Sequence, residues 1–315
     1  MKNKFGVFVV SFSLFATYLF SQKSQNIKVE VEQVSVDVRV ENKKGDLING
    51  LGRGNFKIYE DGVLQEINYF GTSDVPTTYL LITEFSNAIP WQYLYDVLVA
   101  SYTFVDKKKD DDWMAVIAYD IKPEVLVDFT QNKNEILSAL SRLNTPTFSE
   151  SNLYDTLFEA LERLEGVEGR RVIVLVSSGL DTMSKKRLDE ILKKVKSSDV
   201  TIYPFGIGGS FRVMYDQYLS NDTNTNLSRA DAFLRGLAKS TGGEAYFPRF
   251  IQDFRSIFEN ISLQTQNQYL LGYVPDSKKD KKKFRKVKVE AVADVDQDGK
   301  PDKLKVIHRE GYLSK

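Results

Sequence analysis

The chain has 315 residues, of which 42% are hydrophobic, 12% aromatic and 27% charged, with no cysteine, one histidine, and 43 basic against 43 acidic side chains. At roughly 150 residues per domain that is about two domains of ordinary globular composition, which excludes wholesale disorder. A net charge of zero gives no global field toward nucleic acid or an anionic membrane, and the missing residue types exclude disulfides, thiolate nucleophiles, cysteine zinc sites and a cage of several histidines.

The first residues carry Lys2 and Lys4, then an uncharged apolar run over residues 5–20, then Ser21 and Gln22. This is the layout of a secretory signal peptide, residues 1–21, with Leu19 and Ser21 at the recognition positions; an uncleaved anchor is the alternative, and the only membrane contact expected. No cysteine follows the run, so a lipid anchor is excluded. Export without disulfides fits a bacterial envelope or secreted protein: periplasmic, cell-surface or released.

Residues 27–40 (IKVEVEQVSVDVRV) nearly alternate apolar and polar, the period of half-buried strands. Turn residues at 42–45 and 60–62 separate further short runs, so residues 22–72 are expected to form a β-rich, immunoglobulin-like module. From residue 73 the period changes. Apolar runs at 79–82, 114–119, 172–176 and 200–206 alternate with helical spacing at 91–105, 135–143, 153–164, 184–196, 230–240 and 250–264. Such alternation predicts an α/β fold over 73–265, a doubly wound sheet of about six strands covered on both faces. Ligands of such sheets sit at the carboxyl ends of the strands. Residues 266–315 return to strand patterns at 268–274, 284–293 and 304–308. Seven lysines and one arginine between 275 and 288 read as a solvated hairpin flank, lacking the interleaved aromatics of a nucleic-acid platform.

Three separated phrases, residues 34–70, 233–247 (FLRGLAKSTGGEAYF) and 268–275 (QYLLGYVP), ending in the Arg309-Glu310-Gly311-Tyr312 phrase, resemble the von Willebrand factor A-related proteins described from acidobacteria. The resemblance spans almost the whole chain beyond the signal segment. It implies a von Willebrand factor A domain at 73–265 between β-rich flanks, with a mainly parallel sheet whose one antiparallel edge strand is placed at 114–119. It also implies a metal-ion-dependent adhesion site, where oxygen ligands hold a divalent cation and leave one position open for an acidic side chain of a partner.

In that register Glu84 stands at the first-loop aspartate, Ser86 at its first serine and Ala88 at its second; Ser151 replaces the second-loop threonine and Ser178 the third-loop aspartate. An alternative register puts Thr83 in place of Glu84. One carboxylate and three hydroxyls offer little charge to offset the dehydration of Mg²⁺, so a weak or empty site is expected. Asp181 could reach inward or cap a helix. Phe85, Ile89 and Trp91 form either a metal-free contact face or packing beneath the first helix.

A second candidate is Asp294-x-Asp296-x-Asp298-Gly299-Lys300-x-Asp302, where alternating carboxylates around a glycine turn, with the Lys300 carbonyl, suit Ca²⁺ in a structural role. An acidic turn joining two strands is the alternative. Enzymatic signals are poor. A serine hydrolase would need His308, which sits in a strand pattern, and no nucleophile elbow, phosphate loop or zinc helix occurs. Gly206-Ile207-Gly208-Gly209 lacks the helix start that a dinucleotide site requires. The expected function is non-enzymatic binding of another envelope or extracellular protein, and the alternative is a structural component whose β-modules make the contacts.

Overall fold

A computed structural model describes residues 33–87, 91–143, 146–209, 212, 220–275, 282–302 and 304–314, the side chains of 91 and 92 excepted. The expected signal segment lies outside the described residues.

The chain enters through β1 (Val34–Glu41), β2 (Phe56–Glu60), β3 (Val63–Gln65) and β4 (Tyr69–Gly71). Asp61 (φ 48°) and Gly62 (φ 87°) both take the left-handed backbone that a two-residue hairpin between β2 and β3 requires. Then follow β5 (Thr77–Glu84), α1 (Trp91–Lys107), β6 (Trp113–Tyr119), β7 (Pro123–Thr130), α2 (Lys133–Ser141), α3 (Leu153–Arg163) and β8 (Arg170–Ser177). The chain continues through α4 (Leu188–Ser197), β9 (Thr201–Gly206), α5 (Asn221–Thr241) and α6 (Asp253–Gln266). It closes with β10 (Tyr269–Tyr273), β11 (Phe284–Ala291), β12 (Lys305–His308) and β13 (Gly311–Leu313).

The central sheet has the order β7-β6-β5-β8-β9, parallel except for β7. Its strands are apolar on both faces because both faces are covered. Tyr79 and Leu81 pack with Phe104, Phe254 and Phe258, whereas Leu80 and Ile82 pack with Leu157, Ile191 and Leu234. Residues 114–119 are therefore not the antiparallel edge. β6 runs parallel to β5 from Thr78 opposite Trp113 to Glu84 opposite Tyr119, with α1 as the crossover. The edge is β7, which only residues 120–122 separate from β6, a connection too short for anything but a hairpin. Five strands, one fewer than expected, form this sheet among the described residues.

The flanking segments are β-rich and antiparallel, as expected, and they share their sheets. The orders β12-β1-β10-β4 and β13-β11-β2-β3 each combine strands from before and after the α/β region. Val36, Val38, Ile58, Leu271, Tyr273 and Val287 fill the space between them.

This sandwich docks at the amino ends of the central strands through buried polar groups. Arg170, first residue of β8, is ion-paired to Asp37 of β1 at 3.2 Å, the two side chains 0% and 6% exposed. Its remaining donors reach the carbonyls of Thr265, Gln268 and Thr72, and Thr201 donates its hydroxyl to Asp37 at 3.0 Å. Arg39 pairs with Glu41 and Glu244 and donates to Gln264. Among the described residues no helix is long and apolar enough to cross a membrane.

Candidate functional site

At the opposite, carboxyl ends of the strands, three strand-terminal residues converge. Glu84 ends β5, Tyr119 ends β6 directly opposite it, and Ser177 ends β8. Glu84 is 1% exposed. Its Oε2 accepts from the backbone N–H of Ser178 at 2.7 Å and from the Ser178 hydroxyl at 2.8 Å, while Oε1 accepts from the Ser86 hydroxyl at 3.0 Å. Tyr119 and Ser177 hydroxyls lie at 3.3 Å from Oε2, and Tyr119 donates to Ser177 at 2.8 Å.

The turn that delivers these donors depends on Gly179. At φ 78° it adopts the left-handed region, and a Cβ there would lie 2.9 Å from the Ala230 carbonyl oxygen. Its N–H donates to Ser177 Oγ at 2.8 Å, which fixes that hydroxyl beside the carboxyl group. Among the described residues no cation pairs with Glu84, and burial raises its pKa from the ordinary 4.5 against the opposing effect of those hydrogen bonds. Burial likewise pushes the Tyr119 phenol well above its usual range, with the neighbouring carboxylate adding to the rise.

The structure thus brings Glu84, Ser86 and Ser178 into one cluster. Ser151 is buried at the edge of this cluster: its hydroxyl donates to the Leu180 carbonyl at 2.9 Å, its N–H donates to Thr182 Oγ1 at 2.8 Å, and its side chain also reaches the Tyr119 hydroxyl. Asp181 serves the start of α3, accepting from Tyr154 N–H at 3.1 Å and from the Ser184 hydroxyl. Phe85 is half-buried against the core beneath α1. Ala88 and Ile89 lie outside the described residues, as does the Trp91 side chain. Sequence reasoning does not single out Tyr119 and Ser177; the signal it offers is their position as last residues of apolar strands.

In the aspartate-rich loop, carboxylate oxygens of Asp294, Asp296 and Asp302 lie within 4.8 Å of one another, exposed or half-exposed. Backbone donors hold them: Gly299 N–H to Asp294 at 2.8 Å, Asp298 N–H to Asp294 at 3.0 Å and to Asp296 at 3.2 Å, and Val295 N–H to Asp302 at 2.7 Å. The Asp298 carboxylate accepts instead from Lys300 N–H at 2.8 Å and stands outside the trio.

His308 uses both ring nitrogens. Val289 N–H donates to Nε2 at 3.1 Å, which leaves the proton on Nδ1 to meet the Arg309 carbonyl at 2.7 Å. Burial lowers its pKa and holds it neutral.

Residues 85–260, more than half of the chain, match the sequence profile of the von Willebrand factor type A domain. Among solved structures the chain is similar to a von Willebrand factor type A protein from Catenulispora acidiphila, with 11% identity over 91% of this chain and 76% of that one and a TM-score of 0.47. It is similar also to an aerotolerance-related membrane protein from Bacteroides fragilis, with 17% identity over 60% of this chain and 98% of that one and a TM-score of 0.44. The von Willebrand factor domain of the type V pili tip protein Mfa5 from Porphyromonas gingivalis has 13% identity over 60% of this chain and 96% of that one, with a TM-score of 0.42. No curated protein sequence matches the chain.

Proposed function

The chain belongs to the von Willebrand factor type A domain family, and on that premise we propose that it is an exported, non-enzymatic protein-interaction component whose adhesion-site position works without a metal ion. The observation that carries this reading is the state of Glu84. Both its oxygens already accept hydrogen bonds, and the hydroxyls of Ser86 and Ser178, which stand at ligand positions, are spent on it. A hard cation such as Mg²⁺ needs carboxylate oxygens in near-octahedral array and gives up its water reluctantly. One buried carboxyl group whose ionisation burial opposes does not fit that demand.

The loops at the carboxyl ends of β5, β6 and β8 would then meet another envelope or extracellular protein through surface shape and polar contacts. Export rests on the pattern of residues 1–21, and the proposed organisation is a signal segment, then residues 22–72 and 266–315 flanking a von Willebrand factor A-like domain at 73–265. A hydrolase is disfavoured because the one histidine has both nitrogens committed to backbone groups.

The test is calorimetric titration of residues 22–315 with Mg²⁺, alongside Glu84→Ala/Ser86→Ala. No magnesium heat is expected, and partner binding should survive a chelator. Magnesium binding that disappears in the double variant would sink the metal-free reading.

A second reading is favoured by one observation, the converging carboxylates of Asp294, Asp296 and Asp302. In it the chain is a structural envelope component whose β-strands make the contacts, with Ca²⁺ held by the loop and bringing positive charge among three oxygens that otherwise repel. Asp298 and Lys300 belong to this proposal as loop-forming residues. Calcium heat abolished by Asp296→Ala/Asp298→Ala is its expected result.

A further inference from the structure

A cleft of about 210 Å³ lies where the sandwich meets α3, β8 and α4, with Arg171, Asp199 and Arg309 among polar residues on its wall and Leu161, Leu164 and Val200 among apolar ones. We propose that this cleft is a binding site for a small oxyanion, a carboxylate or phosphate group, held between the guanidinium groups of Arg171 and Arg309.

Arg309 is only 6% exposed. It donates from Nε to the Gly311 carbonyl at 2.9 Å and from Nη2 to the Lys196 carbonyl at 3.3 Å, and it stands 5.9 Å from the centre of the Tyr312 ring. Carbonyl dipoles do not neutralise it, and among the described residues no carboxylate forms an ion pair with it. A guanidinium taken out of water is costly unless an anion accompanies it. Arg171 stands on the same wall, its outer nitrogen paired with Asp199, so two guanidinium groups border the cleft with one carboxylate between them in charge.

Charge on the wall agrees. Glu165, the other acid there, is engaged by Lys194 at 2.6 Å, and Asp37, whose charge also reaches Arg309, is paired with Arg170, so Asp199 is left against Arg171 and Arg309 and one positive charge remains. A singly charged oxyanion would balance it, and the planar fork of arginine suits carboxylate and phosphate oxygens. The volume exceeds that of several waters, at about 30 Å³ each in the liquid, so a group with a small apolar substituent has room.

The experiment follows the arginine Nε–H resonances of residues 22–315 by NMR while acetate or inorganic phosphate replaces chloride at constant ionic strength. Saturable shifts of the Arg171 and Arg309 signals, absent from exposed arginines such as Arg187, are expected. Arg309→Lys and Arg171→Lys should each weaken that binding about tenfold, since the charge is kept and the fork is lost. Saturation by acetate assigns a carboxylate ligand and saturation by phosphate alone assigns a phosphate; both support the site. Shifts with neither anion, or equal shifts at all arginines, overturn it. The wild-type titration decides the matter even if a variant fails to fold.

Discussion

At the amino ends of the central strands the carboxylate of Asp37 meets a guanidinium, while at the carboxyl ends the carboxyl group of Glu84 meets only hydroxyls and an amide. Both are buried, and burial raises the pKa of both; the difference lies in what opposes that rise, a cation and a hydroxyl at Asp37 but only hydrogen bonds at Glu84. Arg170 brings a full opposite charge to Asp37 and uses its other donors on three carbonyls, two of them beside the α6–β10 junction. Glu84 has only partial charges to lean on. The first arrangement is a fastener between two layers of structure, while the second, on the function proposed above, closes off the position at which a cation would sit.

Breaking the fastener should have the largest effect. Arg170→Ala leaves Asp37 buried without its cation and removes the donor that reaches the Thr265 and Gln268 carbonyls, so a loss of about 3–5 kcal/mol is expected in denaturant unfolding. Asp37→Asn should cost less, and a double-mutant cycle should show strong coupling between the two positions. Additive effects would mean that the pair is not what joins the sandwich to the sheet.

The second break is at Glu84. Glu84→Ala strands the Ser178 N–H and empties the space of the side chain, for an expected cost of about 2–4 kcal/mol. Glu84→Gln keeps the shape: its carbonyl can accept from Ser178 and its amide can donate to Ser86, so less than about 1 kcal/mol should be lost at neutral pH. A glutamine variant as damaged as the alanine one would show that the negative charge itself is needed, as a bound cation would require.

The two ends also differ in how far the sequence reveals them. The apolar runs of β5, β8 and β9 are legible because a strand covered on both faces must be continuous in apolar residues. β7 is not legible: it begins with Pro123, is half-exposed along its length and lacks a clean period, as an edge strand can. Glu84, Ser86 and Ser178 can be found by register against a family pattern, whereas Tyr119 and Ser177 join them only once β6 and β8 are aligned beside β5. The Asp37–Arg170 pair spans 133 positions and has no local signature. The shared sandwich is hidden for the same reason, since Val36 pairs with Leu271 across the entire α/β domain.

A pH series sharpens the contrast at smaller scale. The folded pKa of Glu84 is raised above 4.5, so the folded state holds its proton more tightly than the unfolded chain. Its contribution is fully present below the unfolded value and is lost as pH rises through the folded one, at about 1.4 kcal/mol for each pH unit that separates the two. The stability of the Glu84→Gln variant relative to wild type should therefore increase from about pH 4 upward and then level off. His308 acts in the opposite sense: its lowered pKa makes stability fall as pH drops below 6.5, and His308→Gln should remove that acid-side slope. A stability difference between wild type and the Glu84→Gln variant that stays flat across the series would mean that Glu84 ionises as freely in the fold as in water.

The smallest effect belongs to the aspartate-rich loop, which inverts the Glu84 arrangement: there donors surround one carboxyl group, and here three carboxylates surround no donor but the backbone. Without calcium, Asp296→Asn keeps an oxygen for the Asp298 N–H and removes one of three mutually repelling charges. It should change stability by no more than about 0.5 kcal/mol, in either direction, as exposed sites do. With calcium the comparison should reverse, because only the wild-type loop gains an ion that binds the folded form and raises its melting temperature by mass action. Equal melting temperatures for both proteins at millimolar calcium would reduce the loop to an acidic turn joining β11 to β12.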